Sequence, residues 1–161
     1  MNNIKFYLFF LALIVVNTLN AQSLNLNDIK YIYLNDVENS ENYISKKGFE
    51  FYMSEKEKNG YDSYTNWAFK RNNFDNKSKA YVIKSCFKPK CGFVWYQLHD
   101  IRIYNAIKDY CKKNGFKLIN TTTDELGFIN HTFTDLKFRI KFSSGLSSDG
   151  YNEYIITLDY K

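Results

Sequence analysis

Two histidines, three cysteines and scattered carboxylates are the groups that could do chemistry in this chain of 161 residues. His99 is followed by Asp100 at the head of an amphipathic stretch, where the carboxylate suits a helix cap better than a catalytic dyad. His131 sits in GFINHTF, an ordinary strand-like run. No HExxH, paired CxxC or His/Cys cluster supplies the ligands of a zinc site, so neither metal nor cofactor is expected. Acidic pairs at Asp124-Glu125 and Glu55/Glu57 fall in lysine- and asparagine-rich loops, where carboxylates stay solvated and keep ordinary acidity. A glycosidase would need two such groups across one cleft. GxSxG, GxGxxG and GxxxxGK are all absent, so no catalytic residue is assigned.

The cysteines depend on the compartment, and the first residues address that. Lys5 precedes an apolar run, FYLFFLALIVV, and a polar NTLNA follows, in the order of a secretory signal peptide with Ala21 before the cut. The run has about 11 residues, short of the roughly 20 that span a bilayer. Residues 1–21 are therefore expected to be a signal peptide and 22–161 a single exported domain, periplasmic or secreted, with no stable membrane insertion after cleavage. The Asn/Lys/Tyr/Ile bias fits an AT-rich bacterial genome. Outside the cytoplasm disulfides persist. Cys86 and Cys91 bracket FKPK, a tight turn between AYVIKS and GFVWYQL, and a short hairpin brings its Cα atoms within the 4.4–6.8 Å or so that a disulfide needs. A Cys86–Cys91 bond is expected, the alternative being two unpaired thiols. Cys111 is left as a small core residue on a helix.

Composition narrows the function classes. Aromatic residues make up 19% of the chain against a single proline, which excludes disorder. The formal charge of +5, less that of Lys5, leaves +4. That mild excess favours acidic partners and, in an exported protein, argues against nucleic acid.

The elements that must position these groups follow from periodicity. Ile103, Ala106, Ile107, Tyr110 and Cys111 recur at helical spacing, with Lys112 and Lys113 in the last turn and Gly115 as the stop. A shorter helix marked by Val37, Tyr43 and Ile44 stops at Gly48, and LNLNDIKYIYL reads as another, capped by Asn27 or Asp28. LKFRIKF alternates strictly: Leu136, Phe138, Ile140 and Phe142 are expected on one face, Lys137, Arg139 and Lys141 on the other. Phe49, Phe51 and Met53 alternate likewise with Glu50 and Tyr52. About eight strands are expected in all, in the order helix, four strands, helix, four strands.

SKKGFEF and KKNGFKL disclose why. Gly48 and Gly115 lie 67 positions apart, and Tyr43, Lys46, Phe49, Gly60, Thr65 and Lys70 each meet an identical residue at that offset. The expected fold is α+β: two tandem helix-plus-four-strand repeats, about 36–98 and 100–161, forming antiparallel sheet with the helices packed on one face. This layout resembles in shape the saddles of the TATA-binding protein and the β-lactamase inhibitory proteins, which present an open sheet face to a macromolecule. No sequence motif of either is present, and no residue is carried over.

The reading is of an exported, non-enzymatic binding module. Its partner would be a protein, an inhibited enzyme among them, or an acidic or sugar-bearing envelope component. Lys137, Arg139 and Lys141 are the candidate binding surface. The rival is a small secreted hydrolase acting on cell-wall or glycan material, which would need a pocket with convergent carboxylates or His99.

Overall fold

A computed structural model describes residues 23–56, 62–72, 74, 77–87 and 90–161. The expected signal peptide, residues 1–21, lies outside the described residues, as do Glu57, Gly60 and the side chain of Cys91. The protein is mixed helix and sheet, and the sheet dominates. Among the described residues three helices, α1 (Leu26–Leu34), α2 (Val37–Ser45) and α3 (Ile101–Lys113), accompany eight strands. The strands are β1 (Phe49–Lys56), β2 (Asp62–Phe69), β3 (Ala80–Phe87), β4 (Lys90–Leu98), β5 (Lys117–Thr123), β6 (Ile129–Thr134), β7 (Phe138–Leu146) and β8 (Asn152–Tyr160). They form one antiparallel sheet in the order β1-β2-β3-β4-β8-β7-β6-β5. Within β1–β4 and within β5–β8 each strand pairs with the next in the chain, and the pairing of β4 with β8 joins the two sets at the centre.

Each helix begins on a side-chain cap. The cap of α1 is Asn25, whose Oδ1 accepts from Asn27 N and Asp28 N, while Asp28 answers Asn25 N at 2.8 Å. Asp28 is thus the third helical residue of a capping box and not the cap itself. It is buried, and it ties α1 to α2 by accepting from the Tyr43 hydroxyl at 2.5 Å and from Lys47 Nζ at 3.1 Å. The bond to Asp28, with burial second, pushes the Tyr43 phenol up to about 12.

All three helices deliver side chains to one core. Leu26, Ile29 and Ile32 of α1, Ile44 of α2, and Tyr104, Ile107 and Cys111 of α3 meet alternate residues of the strands, among them Trp67, Val94, Tyr96, Ile140 and Phe142. The apolar stripe of α3 is rotated from the expected one: Tyr104 is buried and Tyr110 exposed. Cys111 is a buried free thiol, pushed up to about 12 mainly by burial.

Both glycine stops adopt the left-handed backbone, Gly48 at φ 81° and Gly115 at φ 84°. After α3 the Phe116 N–H returns to the Cys111 carbonyl at 3.1 Å, closing a Schellman turn that only a left-handed residue at 115 permits cheaply. A Cβ at 115 would touch nothing within 4 Å, whereas one at 48 would press on the Phe69 ring at 3.2 Å. Gly115→Ala should therefore cost backbone strain alone, about 1 kcal/mol, and Gly48→Ala distinctly more. Denaturant midpoints of the two variants check this; equal losses would show that Phe69 yields freely.

Two expected alternations break. A bulge between Phe51 and Met53 inserts Tyr52 as an extra residue, so Phe51 opposes Trp67 while Met53 opposes Asn66 on the other face. Leu136 is 96% exposed: β7 starts at Phe138, because the Asp135 carboxylate accepts from the Lys137 and Phe138 N–H groups and closes a turn there. One buried residue runs against composition. Lys84 of β3 points into the core, with no exposed surface, and donates to the carbonyls of Ile32, Tyr33 and Asn35 at the C-terminal end of α1.

Candidate functional site

The sheet face opposite the core carries Phe93 and Trp95 of β4, Ile155 and Thr157 of β8, and Arg139, Lys141, Ser143 and Gly145 of β7, as the paired registers require. Its β1–β4 side is aromatic. Tyr52 and Tyr81 lie 6.0 Å apart, Tyr64 and Phe93 6.3 Å, and the Arg71 guanidinium covers Tyr52 at 4.6 Å. Its β5–β8 side is polar.

Where the two sides meet, a cavity of about 680 Å³ opens. Phe93, Trp95 and Ile155 line it, and the β5–β6 loop and the end of β7 wall it with Leu126, Phe128 and Leu146. Phe128 is buried on this face because Gly145 leaves room for its ring: a Cβ there would meet Phe128 Cγ at 2.7 Å. Leu126 and Leu146 remain 83% and 62% exposed. Asn66 Oδ1, Ser85 Oγ and Trp95 Nε1, on adjacent strands of this face, are buried without a hydrogen-bond partner among the described residues.

Asp124 organises the wall. Its Oδ1 accepts from Phe128 N at 2.9 Å and Leu126 N at 3.1 Å, and its Oδ2 from Asn130 Nδ2 at 3.1 Å. Asn130 in turn accepts from the Ser143 hydroxyl at 2.5 Å. The Asn130 amide, with those backbone donors, holds the Asp124 carboxyl below its ordinary value. Glu153 reaches the same cavity. Both Asp124 oxygens are thus taken up by its own loop and by Asn130.

The three cations proposed from alternation have separate fates. Lys137 is exposed in the turn before β7. Arg139 is neutralised by Asp159, its partner across β7 and β8, through Nε to Oδ1 at 2.9 Å and Nη2 to Oδ2 at 2.7 Å. Lys141 lines the cavity and forms no salt bridge among the described residues. The histidines sit apart from it. His99 Nδ1 donates to the Asn152 carbonyl at 3.0 Å, since a carbonyl can only accept. His131 Nδ1 meets Thr121 Oγ1 at 3.2 Å, and burial, then Lys108 and Lys112, lower its pKa. Cys86 lies opposite Cys91 in the β3–β4 register.

Sequence reasoning did not single out Trp95, although a tryptophan on a strand face opposite apolar neighbours was visible in GFVWYQL. Among the described residues no group of three His, Cys, Asp or Glu is placed to hold a metal, and no helix is long and apolar enough to cross a membrane. Comparison with protein-family models, with curated proteins and with solved structures gives no match for this chain.

Proposed function

We infer that the protein is an exported binding module that offers the open face of its sheet to a macromolecular partner, a protein or an acidic or sugar-bearing envelope component. The apolar cavity on that face carries the reading. Leucines as exposed as Leu126 and Leu146, beside a tryptophan, leave apolar surface that the described residues do not cover, and such clusters are where binding energy concentrates. The three unpartnered polar atoms support it, since buried groups of that kind are few in folded proteins. Lys141 at the rim favours an acidic group next to the apolar anchor.

The same reading takes the sheet as two copies of one helix-plus-four-strand unit. In its favour, the bulge at Phe51/Met53 has a counterpart at Leu118/Asn120, at the same offset of 67 as the two left-handed glycines. Export accounts for the cysteines. Intact mass and non-reducing peptide mapping of exported protein should give a chain starting within a residue or two of Gln22, with Cys86 joined to Cys91 and Cys111 free. A chain that retains Met1 would end the export reading.

Function is tested by capture from envelope extract. Leu126→Glu and Lys141→Glu should each weaken capture of the partner by about tenfold, while Leu136→Glu, an equally exposed leucine outside the cavity, should not. Equal capture by all four chains would remove the cavity from consideration.

A further inference from the structure

At the end of the sheet where β2 turns into β3 and β4 runs into α3, a shallow cleft of about 570 Å³ is lined by Lys70, Lys77, Ser78, Lys79, His99 and Ile101. It shares no residue with the open-face cavity. Three lysines in so small a space repel one another unless an anion joins them. Lys77 has one, Asp149 at 3.4 Å. Lys70 and Lys79 form no salt bridge among the described residues. Asp100 also lines the cleft, but its oxygens are taken by Arg102, through N at 2.9 Å, Nε at 3.0 Å and Nη2 at 2.7 Å.

Two observations separate this place from a patch of surface lysines. Ser78 is only 7% exposed, and its hydroxyl has no hydrogen-bond partner among the described residues. A buried polar group without a partner asks for an explanation. Lys70 holds φ 51°, the one non-glycine positive φ among the described residues. Lysine adopts that left-handed conformation at a cost, and such strain gathers at ligand sites. The cleft also receives the N-terminal end of α3, a helix of 13 residues whose dipole favours negative charge.

We propose that this cleft binds a phosphate-type oxyanion, gripped by Lys70 and Lys79 over the Ser78 hydroxyl at the positive end of α3. Two ammonium groups that form no salt bridge among the described residues, beside a helix terminus, suit one compact oxyanion. An extended polyanion would need a longer stripe of cations. A phosphate free in solution and one on a lipid headgroup present the same chemistry here.

Titration of the isotope-labelled protein with inorganic phosphate, against chloride at equal ionic strength, should give saturable amide shifts confined to residues 70, 77–79 and 99–102. Lys79→Gln should weaken that binding by about tenfold, as loss of one charge-assisted contact does. Lys70→Gly is the sharper variant: it relieves the left-handed strain, so the melting temperature should hold or rise while phosphate affinity falls. Phosphatidylcholine vesicles with and without phosphatidylglycerol separate the two sources. Vesicle capture that depends on phosphatidylglycerol and that Lys79→Gln abolishes assigns the site to a headgroup, and solution binding without capture assigns it to soluble phosphate. Binding in neither assay, shifts that chloride reproduces, or affinity unchanged in Lys70→Gly would overturn the proposal.

Discussion

Lys84→Met should destabilise the protein by about 3 kcal/mol, although methionine is apolar, of similar length and placed in a core. The ammonium group of Lys84 serves the carbonyls of Ile32, Tyr33 and Asn35, at the end of α1 where a helix leaves acceptors without internal partners. Water cannot replace it, because the residue has no exposed surface. Each buried acceptor left unsatisfied costs about 1–3 kcal/mol, and the helix dipole loses a cation where it is most favourable. Gains in apolar burial offset part of that sum. Urea unfolding followed by far-UV circular dichroism measures the difference, and a loss below about 1 kcal/mol would mean that α1 holds its end by other bonds.

Gly145→Val should cost about 2 kcal/mol by overpacking and should abolish capture through the open-face site. The mutation acts at a distance from any ligand. A Cβ at 145 would penetrate the Phe128 ring, with Cγ at 2.7 Å and both Cδ atoms at 2.9 Å, so the ring must leave its seat. Phe128 anchors the loop that Asp124 organises, and that loop is one wall of the cavity. Trp95 lines the cavity and Trp67 has no exposed surface in the core, so a red shift in tryptophan emission would report the opened wall. Unchanged emission together with undiminished capture would show that the wall is irrelevant to binding.

The amino-acid sequence alone determined the elements. A count of about eight strands, the α3 helix and the glycine stops were legible, because side-chain periodicity, caps and left-handed glycines act within a few residues of the chain. The same locality explains the failures. Alternation in LKFRIKF placed Arg139 and Lys141 on one face correctly, yet it could not see Asp159, which reaches Arg139 only through the β7–β8 register. It also enlisted Leu136, since nothing in the pattern reveals that Asp135 closes a turn first. In AYVIKSC both faces carry apolar residues, so the side on which Lys84 falls depended on where α1 ends, some fifty positions earlier in the chain. Tertiary structure alone decided the central β4–β8 pairing, the fold of the Asp124–Phe128 loop onto Gly145, and hence the existence of a cavity beside Trp95. Each of these joins segments distant in sequence. Such contacts form because burial and hydrogen bonding summed over the whole core outweigh the entropy of closing long loops, a balance that no local window of residues contains.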